Sequence, residues 1–241
     1  MNETARTAPA EMPTETSHAG PRPGRPEIVA GLAAYGVLYA GVICYLTHAN
    51  LPGAASGVVE FSLSAAMGLG AFAVAALLRI RRLAPFGVRR ASGRSLLAAI
   101  GFGVLAYLLS AIVSLLYQTL TGDHRNIQTG YHSAAAGGML WYLATAVTGF
   151  VATPIGEEFL FRGVLANALS RYGAWISVLV SATIFALAHG INPVLPVAFV
   201  VGVINALLLR RTGSVWPGVV VHGVNNGLAI SLPVLAALAT N

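Results

Sequence analysis

Seven stretches of this chain, at about residues 28–47, 57–78, 95–119, 139–171, 174–190, 194–209 and 215–237, are almost wholly apolar. An α-helix needs about 20 such residues to cross a hydrocarbon layer roughly 30 Å thick. Inside lipid a segment must satisfy its own backbone hydrogen bonds, so runs of this kind span as helices. The sequence therefore predicts an all-α, polytopic transmembrane bundle of about seven (seven to eight) membrane helices. Composition agrees: 56% of residues are hydrophobic and 9% are charged, where soluble domains carry about a quarter charged residues. The mean hydropathy is +0.73.

Residues 1–26 are rich in Pro, Thr, Glu and Gly and lack periodic apolar positions. They are expected to form a disordered cytoplasmic tail ahead of a transmembrane domain over 27–241. The tail sets the first apolar run back from a signal-peptide position, with no basic stretch abutting it, so that run is expected to stay as a helix. The fourth run is too long for one straight crossing, since thirty-odd helical residues reach about 48 Å. Pro154 and Gly156 are expected to kink it, and one bent helix or two pieces both fit.

All 14 basic residues are arginines. Arg79, Arg81, Arg82, Arg89, Arg90 and Arg94 fill the second loop, Arg171 ends the fourth run, and Arg210 and Arg211 end the sixth. The alternate loops at 48–56 and 120–138 hold only Arg125. The positive-inside rule places the N-terminus in the cytoplasm. The net charge of +6 is then a matter of loops facing anionic headgroups, and no nucleic-acid partner is expected. Trp141 and Tyr142 at one level, and Tyr172, Trp175 and Trp216 at the other, fit aromatic belts. The lone Cys44 has no disulfide partner and is expected to pack.

Ionisable groups at membrane depth are costly and mark function. The second half holds Glu157, Glu158 and Arg162, then His189, then His222 with Asn225 and Asn226. Counted from the arginine-bearing helix ends at 1.5 Å per residue, Glu157, His189 and Asn226 lie at similar depths of roughly 16–22 Å, with His222 a turn shallower. Glu158 and Arg162 are i,i+4 and can pair, whereas Glu157 is turned about 100° away and stays free of that partner. Phe185 and His189 share a face, as do His222 and Asn226. Glu60, in the second run, belongs to no motif and has no partner the sequence identifies; His124 and His132 are expected to be solvated in a loop.

The segments E-E-F-L-F-R-G, F-A-L-A-H and H-G-V-N-N carry EExxxR, FxxxH and HxxxN in order on successive membrane helices. This resembles the CPBP family of intramembrane proteases, the type II CAAX prenyl endopeptidases and their bacterial Abi-type relatives, over residues 139–231. The resemblance implies that Glu157 activates the attacking water with Glu158 and Arg162 in support. It further implies that His189 holds or deprotonates that water, and that His222 and Asn226 stabilise the oxyanion. General chemistry accommodates these roles, since hydrolysis needs a base for water and donors for the developing oxyanion. Glu157, His189 and His222 are also candidates to hold zinc, in keeping with a metalloprotease. Against that, no HExxH occurs and Asn is a poor ligand, which favours a glutamate-activated water with no obligatory metal.

Other intramembrane chemistries lack their residues: Asp123 is the only aspartate, and neither GxSG nor HExxH is present. The expected function is an intramembrane endopeptidase acting on peptide or protein substrates, membrane-associated or prenylated. The bacterial plasma membrane is the expected location, with the active site opening to the cytoplasm. The alternative is a non-catalytic immunity scaffold or a transporter that uses the same polar cluster for binding; a transporter would carry internal repeats, and none stands out.

Overall fold

The structure, a computed structural model, describes residues 21–240. Eight helices follow one another: α1 Arg25–His48, α2 Gly53–Leu78, α3 Gly93–Thr121, α4 Thr129–Ala136, α5 Met139–Tyr172, α6 Ala174–Ala188, α7 Leu195–Thr212 and α8 Trp216–Ala239. No strand occurs among the described residues. Six of the helices are long and apolar enough to cross a membrane, and α6, with 15 residues, is shorter. The apolar runs and helices agree closely. The additional element is α4, which fills the expected 120–138 loop and leaves His132 half-buried on a helix, not solvated.

Without a hydrophobic force between helices in lipid, close backbone approach takes over, and small residues supply it. On α2, Ala65, Gly68, Ala71 and Ala75 are buried. At Gly68 an added Cβ would lie 2.4 Å from the carbonyl carbon of Gly156, so α2 and α5 touch backbone to backbone. Phe72, Phe86, Phe159, Phe161 and Phe185 fill the space on the arginine-bearing side of that contact.

Helix α5 runs unbroken through Pro154. It is wound as π-helix over Ala146–Ala152 and Phe159–Ala166, and Thr153 N–H bonds to Thr148 O, five residues back. The next bond in that register would run from residue 154 to Gly149 O, and proline has no N–H to give. Asn226 Nδ2 donates to Gly149 O instead, at 3.1 Å. The wide turns also make room for the proline ring, so the run continues as one helix and not as two pieces.

The two ends of the bundle are built differently. At one, the arginine-bearing loops are laced together: Arg171 Nη2 donates to Pro23 O at 2.7 Å, Arg89 Nε to Gly213 O at 2.7 Å, and Asn167 Nδ2 to Pro85 O at 2.7 Å. Arg79 grips the buried Glu27 of α1 through Nε and Nη2, at 2.9 and 3.0 Å. The expected disordered tail lies outside the described residues as far as residue 20. Next to the membrane, Arg22 and Pro23 carbonyls accept from Arg79 and Arg171, and α1 starts at Arg25, so this end of the tail is folded onto the bundle. At the opposite end, Ser114 Oγ reaches Pro193 O and Arg125 Nη2 reaches Ile191 O, each at 3.5 Å. Cys44 is exposed on α1 and not packed inside, because α1 turns most of its surface outward.

Candidate active site

Neighbouring glutamates on α5 meet different surroundings because helical geometry turns them apart. Glu158 points into the protein and is fully buried. Its Oε2 lies 3.1 Å from Arg162 Nε, the i,i+4 pairing expected from the sequence. Its Oε1 accepts from Asn205 Nδ2 of α7 at 2.9 Å and faces His222 Nδ1 of α8 at 3.1 Å. The Arg162 guanidinium also lies over the Phe185 ring, 4.2 Å from its centre. Buried charges need this kind of enclosure, since removing one partner strands the other.

Glu157 faces the other way. Its Oε1 accepts from Ser64 Oγ of α2 at 2.8 Å. Its Oε2 is buried and has no hydrogen-bond partner among the described residues. Two imidazole nitrogens stand near that oxygen: His189 Nε2 at 3.9 Å and His222 Nε2 at 3.8 Å. In each imidazole the other nitrogen is committed to an acceptor. His189 Nδ1 lies 2.9 Å from Phe185 O, and His222 Nδ1 faces the Glu158 carboxylate. A carbonyl accepts and does not donate, so Nδ1 of His189 carries the hydrogen and its Nε2 presents a lone pair when neutral. Phe185 forms the wall between the two imidazoles, edge-on to both, with ring centres 4.7 and 5.8 Å away.

These groups border a cavity of about 510 Å³. Asn226 lines it with one amide hydrogen already given to Gly149 O, and Asn225, which the helical spacing turns aside, lines it as well. Glu60 lines it too, as does Tyr131 of α4. The cavity thus gathers Glu157, His189, His222 and Asn226, while Glu158 and Arg162 stand behind them.

The residues missed by sequence reasoning are Ser64, Asn205 and Tyr131. Ser64 and Asn205 were visible as isolated polar positions in apolar helices, and Ser64 sits i,i+4 from Glu60 on one face of α2.

The cavity also bears on the expected orientation. It is walled by the 124–128 loop, Pro193 and the Tyr39–Leu46 half of α1, all at the end opposite the laced arginines. The lining thus reaches the end of the bundle away from the start of α1 at Arg25. The reason lies in the depths themselves: 16–22 Å from the arginine ends is beyond the middle of a layer about 30 Å thick.

Glu157, His189 and His222 are the side chains that would hold a metal. Among the described residues no group of three or more His, Cys, Asp or Glu is arranged to do so. Separations of 3.8 and 3.9 Å suit two atoms bridged by one water with hydrogen bonds of about 2.8 Å.

Residues 139–228 match the family model of the Rce1-like type II CAAX prenyl endopeptidases. All three motifs lie inside this Rce1-like segment, in agreement with the CPBP resemblance they carry. An uncharacterized 24.3 kDa protein of Escherichia coli is 34% identical over 86 residues, covering 33% of this chain and 40% of that protein. The chain thus spans well under half the length of this curated relative. No solved structure matches the chain. Six membrane-length helices together with the Rce1-like segment mark an integral membrane protein.

Proposed function

We propose that the chain is an intramembrane endopeptidase that hydrolyses peptide bonds with a water activated by Glu157. The observation that carries this is the unpartnered Glu157 Oε2, buried beside a cavity and flanked by two imidazole Nε2 atoms. A water held between Oε2 and His189 Nε2 gives its proton to the carboxylate as its oxygen attacks the scissile carbonyl carbon. Ser64 holds the carboxylate by its other oxygen. In its charged form His222, steadied by Glu158 at Nδ1, donates from Nε2 to the developing oxyanion, and Asn226 has its second amide hydrogen for the same task. The proton on Glu157 then passes to the leaving nitrogen as the C–N bond breaks. Membrane-associated or prenylated, CAAX-type polypeptides are the substrate class that the family match supports.

The test uses the full chain purified in detergent with a fluorogenic farnesylated CAAX peptide and a peptide library. Wild type is compared with Glu157→Gln, with and without chelator. Cleavage lost on Glu157→Gln, in a protein that still inserts and unfolds cooperatively, supports the proposal. Glu157→Gln with unchanged activity in cells would point to the scaffold. Chelator-sensitive cleavage would overturn the metal-free step and return Glu157, His189 and His222 to the role of metal ligands.

A further inference from the structure

The arginines and the cavity lie at opposite ends of the molecule. Arg22 and Arg25, the 79–94 loop, Arg171, and Arg210 with Arg211 share one end, tied together by hydrogen bonds between distant parts of the chain. The other end has Arg125 alone among the described residues. That side chain sits on Asp123 at 2.7 Å, and the pairing holds the Asp123 carboxyl down to about 2. Arginine in short loops stays on the cytoplasmic side of a membrane, so the laced end is cytoplasmic.

The cavity mouth then has a definite side. His124, Asn126 and Gln128 border it from the α3–α4 loop, and Gln118 from the last turn of α3. Val42, Ile43 and Leu46 of α1 line the cavity as well, so this end offers both polar and apolar lining. His189 is at the far end of α6, counted from the arginine end, and the loop after it also borders the cavity. A mouth of this kind accepts a chain lying at the interface, with backbone amides toward the polar lining and apolar side chains toward α1.

We infer that the catalytic cavity opens on the non-cytoplasmic face, and that its substrates are membrane-attached polypeptides presenting an amphipathic segment on that side. The substrate clause rests on the proposed protease activity; the sidedness does not.

Single-cysteine labelling tests the sidedness without any need for catalysis. In a Cys44→Ala background, His124→Cys marks the mouth and Ala91→Cys marks the arginine-rich loop. Spheroplasts expressing each variant are treated with a membrane-impermeant maleimide before and after permeabilisation. The expected result is labelling of His124→Cys in intact spheroplasts and of Ala91→Cys only after permeabilisation. Asn126→Cys repeats the measurement if the first variant is poorly inserted. The reverse pattern, or equal labelling of both sites in intact spheroplasts, overturns the inference. Cleavage unaffected by Glu157→Gln would remove the protease reading and leave the labelling result standing.

Discussion

Replacing Gly68 by alanine tests how the two halves of the chain cooperate in the site. The new Cβ would fall 2.4 Å from Gly156 C, 2.5 Å from its oxygen and 2.9 Å from Glu157 N, all of them backbone atoms of α5 that cannot turn aside. Ordinary contact begins near 3.4 Å, so α2 and α5 must separate by about 1 Å in a close-packed interior. Ser64 lies one turn along the same helix. Its 2.8 Å bond to Glu157 would lengthen to about 3.8 Å, outside hydrogen-bonding range. Overpacking of this kind costs about 1–3 kcal/mol of stability, and a displacement of about 1 Å in the base costs on the order of 10²-fold in rate. The assay is kcat for a farnesylated fluorogenic peptide, beside thermal unfolding in detergent. Gly41→Ala on α1, where an added Cβ meets nothing within 4 Å, serves as the control and should leave both unchanged. Rates for Gly68→Ala within about twofold of wild type would refute the idea that backbone contact between α2 and α5 sets the position of the carboxylate.

Other substitutions probe single contacts. Ser64→Ala should lower kcat roughly 10- to 100-fold, the value of about 1.5–3 kcal/mol for a hydrogen bond to a charged group, while Ser64→Thr restores it; equal rates in all three proteins would dismiss Ser64. Asn226→Ala should cost about 1–3 kcal/mol by orphaning Gly149 O, and adding Pro154→Ala, which supplies an N–H, should recover stability but not activity. Thermal unfolding and kcat on the single and double variants separate those two roles of Asn226. Asn205→Ala removes the 2.9 Å bond to the buried Glu158 and should destabilise the protein by about 1–3 kcal/mol; an unchanged melting temperature would mean that Arg162 and His222 suffice for Glu158.

Much of this architecture could be read from the chain alone, because lipid leaves an apolar run little choice but helix. Spacing separated Glu158, which pairs with Arg162, from Glu157, which does not, since one residue of helix is a fixed rotation. Other features depend on partners distant in sequence. Ser64 lies in a half of the chain without motifs, and the packing of α2 against α5, with Gly68 on Gly156, brings it to Glu157. Asn226 was assigned to the oxyanion, yet its tie to Gly149 O follows from the π-turn before Pro154, which no local pattern announces. The residues that line the far end of the cavity, in the 124–128 loop and on α1, belong to no motif and came from the fold.

Chemically, Glu157 and Glu158 are the same group, and what separates the proposed base from the buried partner of Arg162 is their angular phase on α5. Thr153 pins that phase by donating to Phe61 O at 2.8 Å, just after a π-wound stretch that takes in one residue more than an α-helical turn would. Deleting a single residue between 146 and 152 would set the downstream helix back by about 100°, bringing Glu158 to the place of Glu157 and turning Glu157 to the place of Gly156, against the α2 backbone. The identity of the reactive side chain is thus stored in a winding number upstream of it, and a chain of this kind could gain or lose its chemistry with both glutamates intact.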